Sequence, residues 1–155
     1  MPDFFHVSKE LRVGEVIAPG QWGHEMLAFG TRGRRGIQEE SEAVNLIWEG
    51  ALEAARLARF PDAVSRLDCV FAWFRDEEAR AFRDRFRTDH KIYRVELIDP
   101  DTPVTIADYG AITDAEAGPY VEMVARMAVP YWNPIQPRFP EGLIGGAVRV
   151  TGACV

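Results

Sequence analysis

The sequence predicts an α+β fold in which short mixed or antiparallel sheets pack against helices. Three observations point there. Strand-like runs outnumber helix-like runs and fall in neighbouring pairs, an order that a doubly wound parallel sheet does not produce. KIYRVELI, at 91–98, alternates apolar and polar residues with the period of a half-buried strand. From about Gln38 to Arg59, apolar residues instead recur every three or four positions, the period of a helix.

From the N-terminus, DFFHVS at 3–8 reads as a first strand. Phe4, Phe5 and Val7 suit a buried strand, and His6 and Ser8 interrupt them. GEVIAPGQWG at 14–23 is a turn-rich connection, and the stretch from there to Gly36 reads as loop. The helix that follows carries Ala43, Leu46, Ile47, Gly50, Ala51, Ala54, Leu57 and Ala58 on its apolar stripe, with Glu49, Glu53 and Arg56 elsewhere. Acidic residues crowd its first turns, where the helix dipole favours them, and Pro61 ends it. DCVFAWF at 68–74 is a buried strand by its β-branched and aromatic content. Asp76 is placed to cap a helix from about Glu77 to Phe86. Beyond the strand at 91–98, DPDTP turns the chain and VTIADYG gives a short strand. A helix from about Asp114 to Ala128 then runs until Pro130 stops it. PYWNPIQPRFP is a loop, and GLIGG with AVRVTGACV closes the chain as two short strands.

The 155 residues fit one domain, 1–155, with one core. With 47% hydrophobic and 27% charged residues the chain is neither disordered nor fibrous. A net charge of −6 argues against a broad nucleic-acid footprint. The local exception is GTRGRRG, where Arg32, Arg34 and Arg35 form a basic island. Two scattered cysteines, Cys69 and Cys154, suit free thiols in a reducing compartment, and with three histidines they offer no zinc-ligand spacing. No run of about 18 apolar residues predicts a membrane helix, and the N-terminus lacks the pattern of a signal peptide. A cytoplasmic location is expected; a non-classically exported effector would carry the same signals.

No GxSxG elbow, Walker loop or EF-hand loop occurs, and GTRGRRG lacks the spacing of a dinucleotide fingerprint. Four features stand out instead: His6 with Ser8 in the first strand, Arg66 at the entrance to DCVFAWF, Tyr131-Trp132, and Glu141 in PEGLIGGAVRV. Each admits a purely structural role: a histidine satisfied by a backbone carbonyl, a surface ion pair, a hydrophobic plug, a solvent-facing carboxylate.

Their order along the chain resembles the ADP-ribosyltransferase superfamily, in particular small bacterial members with a histidine in the first core strand. The resemblance rests on the F-H-x-S start, the aromatic strand with a helix directly behind it, the YW segment, and the closing E-x-L-I-x-G-x-V-x-V, and it spans Phe4 to Val150. It implies a split β-sandwich of two small mixed or antiparallel sheets flanked by helices, with NAD⁺ as substrate bent in the cleft between them and no metal. His6 would hold the hydroxyls of the adenine-side ribose, helped by Ser8 and the backbone at Val7. Phe82 would stack on the nicotinamide where the family has a tyrosine, with Phe71 and Trp73 as alternatives. Arg66 would take the pyrophosphate, with Arg32, Arg34 and Arg35 as looser candidates, and Glu141 would be the catalytic carboxylate. The implied partners are NAD⁺ and an unknown acceptor, a protein rather than a nucleic acid, with no membrane. Two departures stand against the pattern: the missing tyrosine, and Phe139 where an acidic residue or Gln would precede Glu141 by two. They favour a rival, a non-catalytic binding module on the same scaffold. An effector acting on nucleic acid is a third reading, permitted by the arginine loop and opposed by the total charge.

Overall fold

The computed structural model describes residues 2–31, 40–115 and 118–154; Arg32, Arg34 and Arg35 lie outside them. The first half of the chain forms β1 (Phe4–Ser8), β2 (Val16–Ile17), α1 (Gln21–Thr31), α2 (Glu40–Arg59), a 3₁₀ turn (Arg66–Asp68) and β3 (Val70–Trp73). The second half forms α3 (Asp76–Phe86), β4 (Lys91–Leu97), β5 (Val104–Asp108), α4 (Tyr109–Thr113), α5 (Tyr120–Trp132), β6 (Pro140–Ile144) and β7 (Val148–Cys154). The fold is α+β. Its seven strands form one sheet in the order β2-β7-β4-β1-β3-β6-β5, and every pairing is antiparallel.

The joint between the two sides of this sheet is narrow. β1 pairs with β4 along its whole length, Phe4↔Val95 to Ser8↔Lys91. β3 pairs with β6 just as fully, Val70↔Ile144 to Trp73↔Glu141. Between them β1 and β3 meet only at Phe5↔Trp73. From His6 onward the two strands part, so the sheet consists of a β2-β7-β4-β1 block and a β3-β6-β5 block hinged on one residue pair.

Side-chain alternation sends successive strand residues to opposite faces. Phe4, Val70, Ala72, Tyr93, Val95, Ile144, Val148 and Val150 fill one interior together with Ile17. These residues come from both blocks and none from a helix, so the blocks close this interior on each other. On the other face, Cys69, Ala107 and Leu143 pack with Leu52 of α2 and with Met127, Tyr131 and Trp132 of α5. Phe5, Trp73 and Ile92 pack there with Ala79 of α3.

Several elements differ from the sequence reading. α1 occupies part of the expected loop. Its two glycines make it a poor helix by propensity, but Gly23 lets it lie against the 3₁₀ turn so closely that a Cβ there would sit 1.9 Å from the Leu67 carbonyl oxygen. Packing, not propensity, forms this helix. α2 turns its other face inward: Ile47 and Leu57 are exposed, while Leu52 and Glu49 are buried. An alanine-rich helix distinguishes its faces weakly, and the ion pair of Glu49 with the buried Arg66 draws the glutamate side in. Asp76 is the first residue of α3 and not its cap, which is Arg75, with no side-chain capping bond. The helix expected from about Asp114 starts only at Tyr120, as α5. A separate short helix, α4 (Tyr109–Thr113), lies before it at the end of the expected VTIADYG strand, and Pro130 lies inside α5. Pro130 removes one backbone donor near the helix end. The last turn is held from outside, because the Trp132 indole donates to the Leu52 carbonyl at 3.0 Å and Tyr131 is fully buried.

Candidate functional site

Where β1 and β3 part, a cleft of about 780 Å³ opens, within the ~300–1,000 Å³ range of small-molecule sites. Its walls include His6, Val7 and Ser8 of β1, Arg66 of the 3₁₀ turn, Phe71 and Trp73 of β3, Phe82 of α3 and Glu141 of β6. The residues singled out from distant parts of the sequence therefore border one cavity. Among the described residues no cluster of His, Cys, Asp and Glu is arranged to hold a metal ion, and no helix is long and apolar enough to cross a membrane.

His6 stands at the point of divergence. Its Nδ1 lies 2.7 Å from the Phe71 carbonyl. A carbonyl only accepts, so Nδ1 carries the proton and Nε2 keeps its lone pair. The imidazole thus satisfies a β3 group that the β1 ladder no longer reaches. Burial lowers its pKa, the hydrogen bond to Phe71 opposes that shift, and the charge of His90 adds to it. His6 is neutral at pH 7 and structurally anchored, the first of the two roles open to it.

Glu141 is 2% exposed and belongs to a buried cluster. The Tyr131 hydroxyl donates to Glu141 Oε1 at 2.6 Å. Arg66 Nη1 donates to the same oxygen and to the Tyr131 hydroxyl oxygen, while Arg66 Nε donates to Glu49 Oε2 at 2.9 Å. Glu141 Oε2 accepts no hydrogen bond among the described residues. Burial pushes the Glu141 carboxyl above the usual carboxylate range; Arg66 and the Tyr131 hydroxyl pull it down, and Glu49 pushes it further up. Burial also opposes the Arg66 charge, but Tyr131, Glu141 and Glu49 outweigh it and keep the guanidinium protonated. In the inner cleft two carboxyl groups thus share one guanidinium.

This arrangement changes the meaning of Arg66. A pyrophosphate clamp needs a guanidinium with donors to spare and a positive surrounding. Arg66 instead directs its Nε and Nη1 to Glu49, Tyr131 and Glu141, with its guanidinium carbon 4.9 Å from the Phe71 ring centroid. It positions Glu141. The aromatic candidates divide as well. Trp73 is 2% exposed, stacked on Phe139 at 4.7 Å and flanked by Phe82 and Tyr109. Its faces are taken, so it builds the wall. Phe82 and Phe71 are half-buried on the cavity surface.

Three residues of this site, Trp22, Glu49 and Tyr109, escape a reading of the sequence, and a fourth, Tyr131, is noted there without its partners. Trp22, whose ring meets Phe71 edge-on at 5.4 Å, falls in the expected loop. Glu49 sits on the helix face assigned to solvent. Tyr131 is conspicuous in sequence, but nothing there connects it to Arg66 or Glu141. Tyr109 lines the cleft, and burial raises its phenol pKa with the Glu141 charge adding to the rise. The one signal in the sequence is Glu49 itself, three residues before Leu52 and so on the same side of α2.

The fold and site define an α+β protein whose seven-stranded antiparallel sheet opens between β1 and β3 over a cleft with a buried arginine–carboxylate cluster. The chain belongs to the DUF2441 family, described as a protein of unknown function, whose model matches residues 7–154. No curated protein matches the chain.

Proposed function

We propose that the cleft binds NAD⁺ and cleaves its nicotinamide–ribose bond, passing ADP-ribose to water or to an acceptor group, on a scaffold of the ADP-ribosyltransferase-like split β-sandwich type. The observation that carries this reading is that His6 and Glu141, 135 positions apart in sequence, border one cleft at the break between two strand blocks. The shared interior drawn from both blocks supports the sandwich reading. In this chemistry the C1′–N bond breaks with its electrons leaving on nicotinamide, and positive charge develops on the ribose. A carboxylate fixed beneath the sugar stabilises that charge, and its free Oε2 can accept a proton from the attacking water or from the 2′-hydroxyl. Arg66 and Tyr131 hold Oε1, so Oε2 is pre-oriented without reorganisation. With water as acceptor the products are ADP-ribose, nicotinamide and one proton.

The test is nicotinamide release from NAD⁺ by purified protein. Glu141→Gln keeps the size and the Oε1 acceptor and should lower kcat by at least about 100-fold. Equal turnover by wild type and Glu141→Gln overturns the reading. A second reading, a binding module without catalysis, is favoured by the tight pairing of Glu141 with Arg66; it predicts NAD⁺ or ADP-ribose binding with no nicotinamide release from either protein.

A further inference from the structure

With Arg66 Nε and Nη1 engaged by Glu49, Tyr131 and Glu141, an anionic ligand group needs further cations, and the exposed part of the cleft lining supplies them. We propose that Lys9, Arg87 and His90 form a phosphate-recognition rim, so that the pyrophosphate of NAD⁺ lies there while its nicotinamide riboside reaches Glu141. This rests on the reading of the cleft as an NAD⁺ site and adds the orientation of the ligand.

All three residues border the cleft and all are held by backbone contacts. The Lys9 carbonyl accepts from the Tyr93 hydroxyl at 2.9 Å. Arg87 ends α3 with its N–H on the Arg83 carbonyl, and His90 N–H returns to the Arg87 carbonyl at 2.9 Å, closing a tight turn. Arg87 Nη1 donates to the Phe86 carbonyl at 2.8 Å, and its guanidinium carbon lies 5.9 Å from the Phe82 ring centroid. The side chain is thereby fixed along the aromatic wall. His90 Nδ1 meets Asp89 Oδ1 at 2.7 Å, which leaves Nε2 as its other hydrogen-bonding atom.

The charge pattern makes this rim unusual for the molecule. The chain carries a net −6, and neighbouring cations are paired: Lys91 with Glu10, Arg94 with Asp3. Lys9 and Arg87 form no ion pair within 4.0 Å among the described residues, although the Lys9 charge is felt at Asp89. Asp89 is the nearby acid, and it is engaged by His90. The lining also carries Glu25, Glu49 and Glu141, the last two around Arg66. The lining therefore carries separate sets of cationic and acidic side chains, a pattern that distinguishes the pyrophosphate of NAD⁺ from its cationic nicotinamide ring.

The experiment is calorimetric titration of ADP-ribose, inorganic pyrophosphate and nicotinamide riboside into the full chain, as wild type and as Lys9→Ala/Arg87→Ala. Both positions are exposed, and an unchanged unfolding midpoint verifies the fold of the variant. The expected result is that the double variant binds ADP-ribose and pyrophosphate at least about 10-fold more weakly, with a shallower salt dependence. Binding of nicotinamide riboside, which lacks phosphate, stays within about 2-fold. Unchanged ADP-ribose affinity in the variant, or no pyrophosphate binding by wild type, overturns the rim while leaving NAD⁺ cleavage to its own assay. Phosphate binding that is lost in the variant, with no nicotinamide release by wild type, supports the rim and removes the cleavage reading.

Discussion

Among single residues, the cluster around Glu141 is the costliest arrangement in the molecule. Taking two carboxylates and a guanidinium out of water costs several kcal/mol per ion, offset only when each charge is met. Removing the cation should therefore hurt most. Arg66→Met leaves Glu49 and Glu141 buried and unpaired and should lower the free energy of unfolding by about 3–5 kcal/mol, read by urea denaturation. Glu141→Gln keeps the acceptor for Tyr131 and leaves Arg66 balanced by Glu49, so it should change stability by only about 1 kcal/mol. Equal losses in the two variants would show that Arg66 does not balance both carboxylates. His6 gives a pH signature. Its pKa is lowered in the fold, so the unfolded chain takes up the proton more readily. Stability is full above about pH 6.5 and falls as the pH drops toward the lowered folded value, by up to about 1.4 kcal/mol per pH unit. Glu141, raised in the fold, works in the opposite direction, so the His6 part must be isolated by difference. Unfolding of wild type and His6→Asn at about pH 7.5, 6.5 and 5.5 should show the gap between them narrowing on acidification; a constant gap refutes the assignment.

Among the secondary-structure elements, two glycines in helices should respond oppositely to the same change. Gly50, in α2, has nothing within 4 Å of where a Cβ would stand, so Gly50→Ala should stabilise by about 1 kcal/mol through helix propensity. Gly23, in α1, faces the Leu67 backbone with no room for a side chain. Gly23→Ala should destabilise by about 1–3 kcal/mol despite the same propensity gain, because α1 must retreat from the turn that carries Arg66. Thermal unfolding of the two variants reads the sign directly. Gly23→Ala should also weaken ligand binding, since Trp22 and Arg66 move with that contact. Much of the element map is legible in the sequence. The alternation in 91–98, the aromatic run at 70–73 and the closing strands are local patterns that tertiary context does not need to supply. α1 is not legible, because the glycines that lower its helix propensity include the one that permits its close packing. Pro130 misleads for a related reason: the last turn of α5 is held by Trp132 and Tyr131, through long-range contacts.

Across the molecule as a whole, the two strand blocks share one interior and one narrow joint, and the cleft lies along the opening between them. A ligand that touches both blocks should stabilise them together. At about 100 times its dissociation constant, NAD⁺ or ADP-ribose should add about 2.7 kcal/mol to unfolding, seen as a concentration-dependent rise in midpoint. Nicotinamide alone, contacting only the inner end, should add less at the same concentration. The absence of any shift with either nucleotide would count against the site.

The class of fold and the identities of several residues that border the cleft are written in the amino-acid order alone. Strand and helix periods are local, and His6, Phe71, Phe82 and Glu141 are chemically conspicuous where they stand. What those residues do to one another is set by the folded arrangement. Whether Arg66 meets a phosphate or a carboxylate depends on which face α2 turns inward, and whether His6 completes a ladder or lines a cleft depends on where β1 and β3 part. Both depend on contacts between segments far apart in the chain, and burial is what converts those contacts into charge balance and shifted proton affinities.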